Sequence, residues 1–521
     1  MKKIYNIAIA LVAMIGMSAC TGDLDQKPVI GTTADDVYST LDGYSSVLAK
    51  VYSAYSLIGA ERGGGSADIS SENGEDMLRN LFNLEELPTD EAAYKYNSGD
   101  NLTDISTINW KATDVWVSDT YYRLYYIISL ANEFLRYCDD AHISHFDAAT
   151  QAEIRTYALE ARYMRAFTYW WVLDLFGQGP FVDENTPMTS YIPEAYNGEQ
   201  LYNYIISEIN AIAEDLPATP SYPRAGRGAA YALGARVALN GEVYTGTSHA
   251  TECIDFCKKV MALGYTLEPD YGKLFNGDND KRTNEIIFAF ATDNTYSATW
   301  GSATYIICGS CPTNGDSQTA NYGIDTAWGS FTARGEFTSL FADGDGRFRF
   351  VTKDQQQYFT GGMDDAAMGY WSCKWTNLND AGEQACSTDV GVTTDFPIFR
   401  LGEIYLTAAE AVLRGGSGMS RDEARELVNQ VRRRAYGDNS GDISDAQFNL
   451  GFMIDERGRE LYYELVRRSD LVRFNRFAGD AYIWQWKGGI MEGRAVDSRF
   501  NIYPIPTTET SANPNLKNVN Y

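Results

Sequence analysis

The stretch from Asp147 to Phe176 constrains the fold most strongly. Leu159, Tyr163, Ala166, Trp170 and Leu173 recur at spacings of 4, 3, 4 and 3, which places them on one face of an α-helix. Gly177 and the Gly179-Pro180 pair end it, because proline cannot continue a helix. A second helix carries Leu201, Ile205, Ile209, Ile212 and Leu216 and stops at Pro217, and a third runs from Gly228 to about Gly241. The design returns near the C-terminus, where Leu401, Tyr405, Ala408 and Val412 line one face before Gly415-Gly416-Ser417-Gly418. Ser420, with Glu423 three residues later, is a capping box, and Ala424, Leu427, Val431 and Ala435 follow it. Two helices joined by a few glycine-rich residues make an antiparallel hairpin. Several such hairpins predict a mainly α, tetratricopeptide-like scaffold, although no strict 34-residue consensus repeats.

Between about Leu263 and Pro397 the character changes. Gly, Asn, Asp, Thr and aromatic residues dominate, with short β-like runs such as Glu285 to Phe290. A long irregular segment inside a compact protein usually carries function, and residues 60 to 114 have the same character. The expected layout is one domain over residues 20–521, with a helical scaffold at about 36–59, 115–262 and 398–521. Two long loop regions, about 60–114 and 263–397, form a ligand-binding surface.

The first residues bear on location. Lys2 and Lys3, the apolar run from Ile7 to Met17, and the small residues Ser18 and Ala19 read as a secretory leader too short to span a bilayer. Cys20 follows at once, so Met17-Ser-Ala-Cys20 resembles a bacterial lipobox, with 1–19 as signal peptide and Cys20 as the lipid-bearing residue. Several acyl chains hold a protein to a membrane far better than one. Removal of the leader takes away two lysines and no acid, shifting the net charge from −27 to −29. That acidity argues against nucleic acid or anionic lipid as the main ligand. Seven cysteines remain after Cys20, so at least one thiol cannot pair within the chain. Cys253-x3-Cys257 and Cys308-x2-Cys311 read as structural, since zinc needs four ligands and the chain holds only three histidines.

No G-x-S-x-G elbow, H-E-x-x-H pair or Walker A loop is present. His142-x2-His145 falls in a polar turn, and the three histidines leave little material for general-base work. A two-carboxylate glycosidase stays open, because 70 acidic residues offer many pairs. No cofactor is required by any of these patterns. The loops Asp278-Asn279-Asp280 and Asp343-Gly344-Asp345-Gly346 offer oxygens for a structural Ca2+, with Asp278 and Asp280 as candidate ligands, although neither loop is a full EF-hand. From Asp455 to Asp470, opposite charges three and four apart predict an ion network along one helix.

The chain carries 36 Tyr, 23 Phe and 10 Trp, so rings must lie at the surface as well as in the core. Tyr94, Tyr96, Trp300, Trp328, Trp371 and Trp375 all fall in the loop regions among polar neighbours. Such rings suit a sugar, whose C–H faces pack on the ring while its hydroxyls seek Asn, Asp and Arg. The competing role for each ring is to anchor its own loop.

The segment from Glu160 to Gly177 resembles the characteristic helix of the SusD/RagB family of Bacteroidetes outer-membrane lipoproteins. So do Arg400 to Ala411, Glu456 to Arg473 and Tyr503-Pro-Ile-Pro506, and the likeness spans essentially the whole chain. EELPTDE (85–91), ATYIICGS (303–310), KWTN (374–377) and YIWQWKGGIMEG (482–493) are similar to starch-binding members in particular. The resemblance implies a tetratricopeptide-like body and a non-catalytic glycan site in the inserted loops. It also implies partnership with a SusC-like TonB-dependent transporter at the cell surface. An arc of three rings, carried over to Tyr96, Trp300 and Trp328, would follow a coiled α-glucan, with Arg79 as hydrogen-bond donor and Tyr94 as flank or support. A glycan-bonding asparagine of those relatives falls on Gly99 here, leaving Asn97 or Asp100 to substitute. The alternatives are another glycan, such as a fructan or mixed glucan, and a transporter lid for a non-sugar nutrient.

Overall fold

The structure, a computed structural model, describes residues 33–70, 75–95, 100–189, 191–313, 318–388, 391–518 and 521. Its longer helices are α1 (Leu41–Ser53), α2 (Met77–Glu85), α3 (Val115–Arg136), α4 (Ala148–Phe176), α5 (Gly198–Ile212), α6 (Arg227–Leu239) and α7 (Ala250–Met261). They continue with α8 (Ser302–Gly309), α9 (Leu401–Leu413), α10 (Arg421–Tyr436), α11 (Leu450–Leu461) and α12 (Arg467–Arg473). The predicted punctuation holds. Asp147 caps α4 by accepting from the Thr150 amide, and Gly177 closes it in the left-handed conformation. Ser420 and Glu423 form the reciprocal capping box of α10.

Each helix from α3 to α7 packs on the next in sequence. α7 then packs on α9 across an insertion of about 140 residues, and α9 packs on α10. This stack is the mainly α, tetratricopeptide-like scaffold expected from the sequence. α4 is its spine, and every residue from Tyr163 to Phe176 is buried. One-sided periodicity therefore describes only its first half, where Leu159 is half-buried and Arg155 is exposed.

The described residues also hold four antiparallel ribbons: β1 (Ala93–Tyr94) with β5 (Phe331–Thr332), β2 (Gln178–Pro180) with β3 (Ala195–Asn197), β4 (Ile286–Phe290) with β8 (Phe396–Arg400), and β6 (Phe350–Val351) with β7 (Trp371–Ser372). The β4–β8 ribbon is buried along its whole length and closes the insertion onto α9. Neither loop region is as structureless as its composition suggests. α2 and α8 lie within them, and every residue of α2 except Arg79 is buried.

The charges between Asp455 and Asp470 do form a network, but most of its reach is tertiary rather than along one helix. Glu460 receives Arg400 at 2.5 Å and Arg347 at 3.1 Å, along with Arg434, and all of these side chains are at most 4% exposed. Arg467 bonds Asp90 at 2.7 Å, and Arg468 bonds Glu85 at 2.9 Å and Asp174 at 3.1 Å. The acids of 85–91 thus tie the N-terminal loop region to the C-terminal helices. A buried charge left alone is costly, which pins these segments to one arrangement. The seven described cysteines are free thiols, with Cys253, Cys257, Cys308 and Cys311 buried.

Candidate functional site

The two loop regions meet. Asp76 caps α2 by accepting from the Arg79 amide at 2.9 Å. The same buried carboxylate accepts from the Thr299 hydroxyl at 3.0 Å and the Ser302 amide at 3.3 Å. It therefore grips both sides of Trp300. Gly301 makes the approach possible, since a Cβ there would stand 1.6 Å from Asp76 Oδ2. Nearby, the Tyr305 hydroxyl on α8 donates to Asn83 Oδ1 on α2 at 2.9 Å.

Trp328 is fixed from the other end of α8. Its amide donates to the Cys308 carbonyl at 2.8 Å, and the Gly329 and Ser330 amides donate to Cys311 and Gly309. Gly329 has φ +58, a conformation that favours glycine. β1 then pairs with β5 just beyond, and the Lys95 amide donates to the Ser330 carbonyl at 2.8 Å.

The result is a continuous row of rings. Trp300 and Trp328 stand 6.2 Å apart with planes inclined at 52°, both half-buried. Tyr305, which is buried, lies 6.4 Å from Trp328 and supports it. The Arg79 guanidinium rests 4.3 Å above the Tyr305 ring. Arg79 is also held by Glu75 at 2.6 Å and faces Asp100 at 3.9 Å. Burial pushes the Glu75 carboxyl up to about 7 against the pull of Arg79. Inclined planes beside a guanidinium and a carboxylate suit a ligand that is curved and rich in hydroxyls.

The structure sorts the other candidate residues. Tyr94 is 1% exposed, and its hydroxyl donates to Asp100. It is therefore a support beneath the surface rather than a ring on it, because β1 turns it into the core. Asp100 keeps an exposed edge. Trp371 and Trp375 are each 1% exposed and anchor their loops. Tyr96, Asn97 and Cys20 lie outside the described residues. Asp278 and Asp280 are not drawn into a metal cluster. Asp278 pairs with Lys281 at 2.8 Å, Asp280 is exposed, and no three His, Cys, Asp or Glu side chains converge for a metal among the described residues. Sequence reasoning missed Asp76, Glu75, Gly301 and Tyr305. The signals were local and weak: an acid just before an apolar helix, and a glycine between aromatic and small residues.

Larger cavities lie elsewhere. One of about 400 Å³ opens between the end of α4, α12 and residues 498–502, and a groove of about 760 Å³ runs along α5. Neither is lined by Trp300 or Trp328, so the ring row is an open platform. No helix among the described residues is long and apolar enough to cross a membrane.

Comparison with known proteins agrees with this architecture. Residues 274–521 match the SusD family. The starch-binding protein SusD of Bacteroides thetaiotaomicron is 30% identical over 571 aligned positions, covering 99% of this chain and 98% of that protein. SusD-like protein P25 of Formosa agariphila is 21% identical, covering 91% and 90% of the two chains. Among solved structures, the surface glycan-binding protein A of B. thetaiotaomicron, in complex with laminarihexaose, aligns with a TM-score of 0.69. It is 19% identical, and the alignment covers 92% of this chain and 99% of that one. A SusD superfamily protein from Parabacteroides distasonis gives 0.70 at 21% identity with the same coverage. The structural likeness speaks to the fold, and the full-length sequence match to a named relative goes further: the chain belongs to the SusD family.

Proposed function

We propose that this chain binds an α-glucan, as starch or malto-oligosaccharide, without catalysing its breakdown. It delivers the sugar to a SusC-like TonB-dependent transporter while anchored to the outer membrane through Cys20. The observation that carries the reading is the half-exposed pair Trp300 and Trp328, inclined at 52° next to Arg79. Planes tilted in this way match a helically coiled glucan better than a flat chain. The name of the starch-binding relative points the same way. Each ring adds roughly 1 kcal/mol beyond its buried area, so the site should be weak, in about the μM to mM range. Weak single contacts suit hand-over, and repeated contacts along a polymer supply avidity.

A second reading, another glycan at the same platform, is favoured by the solved relative that holds laminarihexaose, a β-linked glucan. Affinity electrophoresis in gels of amylopectin, laminarin or inulin separates the two. Retardation by amylopectin that disappears in a Trp300→Ala, Trp328→Ala variant supports the α-glucan reading. Retardation by laminarin or inulin alone supports the second. A folded double variant still retarded like the wild type would remove the platform from either account. Purified protein should release no reducing sugar from any of the three.

A further inference from the structure

The groove of about 760 Å³ along α5 shares no residue with the Trp300–Trp328 platform. Its lining joins aromatic faces to fixed hydrogen-bonding groups. Phe181 stacks on one face of Tyr196, with ring centres 4.3 Å apart and planes 4° from parallel, and Tyr204 meets Phe181 edge-on at 4.7 Å. All three rings are half-buried. The helix presents Gln200, Tyr204 and Glu208 four residues apart on one face, with Asn203 beside them in the lining. Opposite them, Arg162 on α4 donates through Nε and Nη2 to the two oxygens of Glu208, at 2.8 and 2.9 Å.

An ordinary solvated helix face carries mobile charges. Here the arginine and carboxylate are locked in a bidentate pair before any ligand arrives, which lowers the ordering cost of binding. Arg162 Nη1, the Asn203 side-chain amide and Gln200 Nε2 make no hydrogen bond among the described residues. Rings set beside a fixed guanidinium–carboxylate pair and free amides are what a pyranose requires. Its C–H face packs on a ring, and neighbouring hydroxyls bond the carboxylate and the free N–H groups. Arg165 also bonds Glu208 at 3.3 Å and pairs with Glu184. The lining thus sets two arginines against Asp183, Glu184 and Glu208, and with the excess acidic a neutral sugar fits better than an anion.

We infer that the groove between α4, α5 and the β2–β3 ribbon is a second carbohydrate subsite, with Tyr196 and Tyr204 as its rings and Arg162 and Glu208 as its hydrogen-bonding pair. The inference rests on the glycan reading above. The two sites lie on separate elements, so a long polysaccharide could engage one molecule twice and gain avidity that a short oligosaccharide cannot.

The test uses the full chain, with maltotriose and laminaritriose as probes, read by saturation-transfer NMR and calorimetry. In the Trp300→Ala, Trp328→Ala background, at least one trisaccharide should keep a weak signal. Adding Tyr196→Ala should abolish that signal, and adding Gln200→Ala with Asn203→Ala, on the exposed helix face, should weaken it several-fold. The second pair guards against a Tyr196 variant that does not fold. Absence of any residual signal for both sugars overturns the inference. So does a residual signal unchanged by the Gln200 and Asn203 substitutions. Wild-type binding in the double tryptophan variant would instead count against the platform, so the two readings fail separately.

Discussion

Asp76 is the joint on which presentation of Trp300 depends, and Asp76→Ala tests it. The buried carboxylate accepts three hydrogen bonds, from the Arg79 amide, the Thr299 hydroxyl and the Ser302 amide. Losing the helix cap costs about 1 kcal/mol. The Thr299 hydroxyl and Ser302 amide would be left buried without an acceptor, at about 1–3 kcal/mol each. Part of this is offset, because burial raises the Asp76 pKa and the charge is already disfavoured. The net expectation is a loss of about 3 kcal/mol in stability. The damage falls on the turn carrying Trp300, so affinity for a malto-oligosaccharide should also fall by about one ring's share, roughly fivefold for 1 kcal/mol. Asp76→Asn keeps the shape and one acceptor and should lose less of both. Urea unfolding midpoints scaled by the m-value give the first quantity, and calorimetric titration gives the second. If Asp76→Ala stayed within about 0.5 kcal/mol of the wild type in both, the pinning argument would be wrong.

Four further outcomes are expected. Gly301→Ala places a Cβ 1.6 Å from Asp76 Oδ2, so the turn must move and oligosaccharide affinity should fall about as far as in Asp76→Ala, measured by the same titration. Arg400→Met leaves Glu285, Glu460 and Glu464 short of a buried partner and should cost about 3–5 kcal/mol in urea unfolding. Arg421→Ala, which breaks an exposed pair with Asp445, should cost under about 1 kcal/mol. Burial would raise the carboxyls of Glu460 and Asp470, but the arginines around them prevail and hold both at about 2. The native state then binds fewer protons than the unfolded chain, so stability should be lost as pH falls from about 4.5 towards 2. Glu85, which burial holds at about 8, and Glu75 and Glu91, at about 7, act in the opposite sense and erode stability as pH rises above about 4.5. The urea midpoint should therefore peak at mildly acidic pH, and a midpoint rising steadily from pH 5 to 8 would contradict the balance.

The sequence made the scaffold legible because its helices carry their own punctuation. Asp147, Gly177 and the Ser420–Glu423 box act within a few residues of each other, so local reasoning suffices. α2 was invisible for the opposite reason. Met77, Leu78, Leu81 and Phe82 do form an apolar stripe, but the segment is short and its polar side, Asn80, Asn83 and Glu85, is buried as well, so its acidic end reads as a solvated loop. The carboxylates of 85–91 find their arginines some 380 residues away, a separation no local pattern encodes. Charge spacing from 455 to 470 announced a network but pointed along the helix, where Arg459–Glu456 and Arg473–Asp470 are local pairs within a mostly long-range lattice. The same limit governs the site. Trp328 and Trp371 sit in indistinguishable polar contexts, yet one stands half-exposed beside Trp300 and the other is buried. Only the fold decides which ring faces solvent.

The most direct test of the central claim is a crystal structure of the protein soaked with maltoheptaose. The account predicts a curved chain of glucose units lying across Trp300 and Trp328, with a hydroxyl within hydrogen-bond reach of Arg79. Sugar bound elsewhere on a well-ordered molecule, with that platform bare, would contradict it.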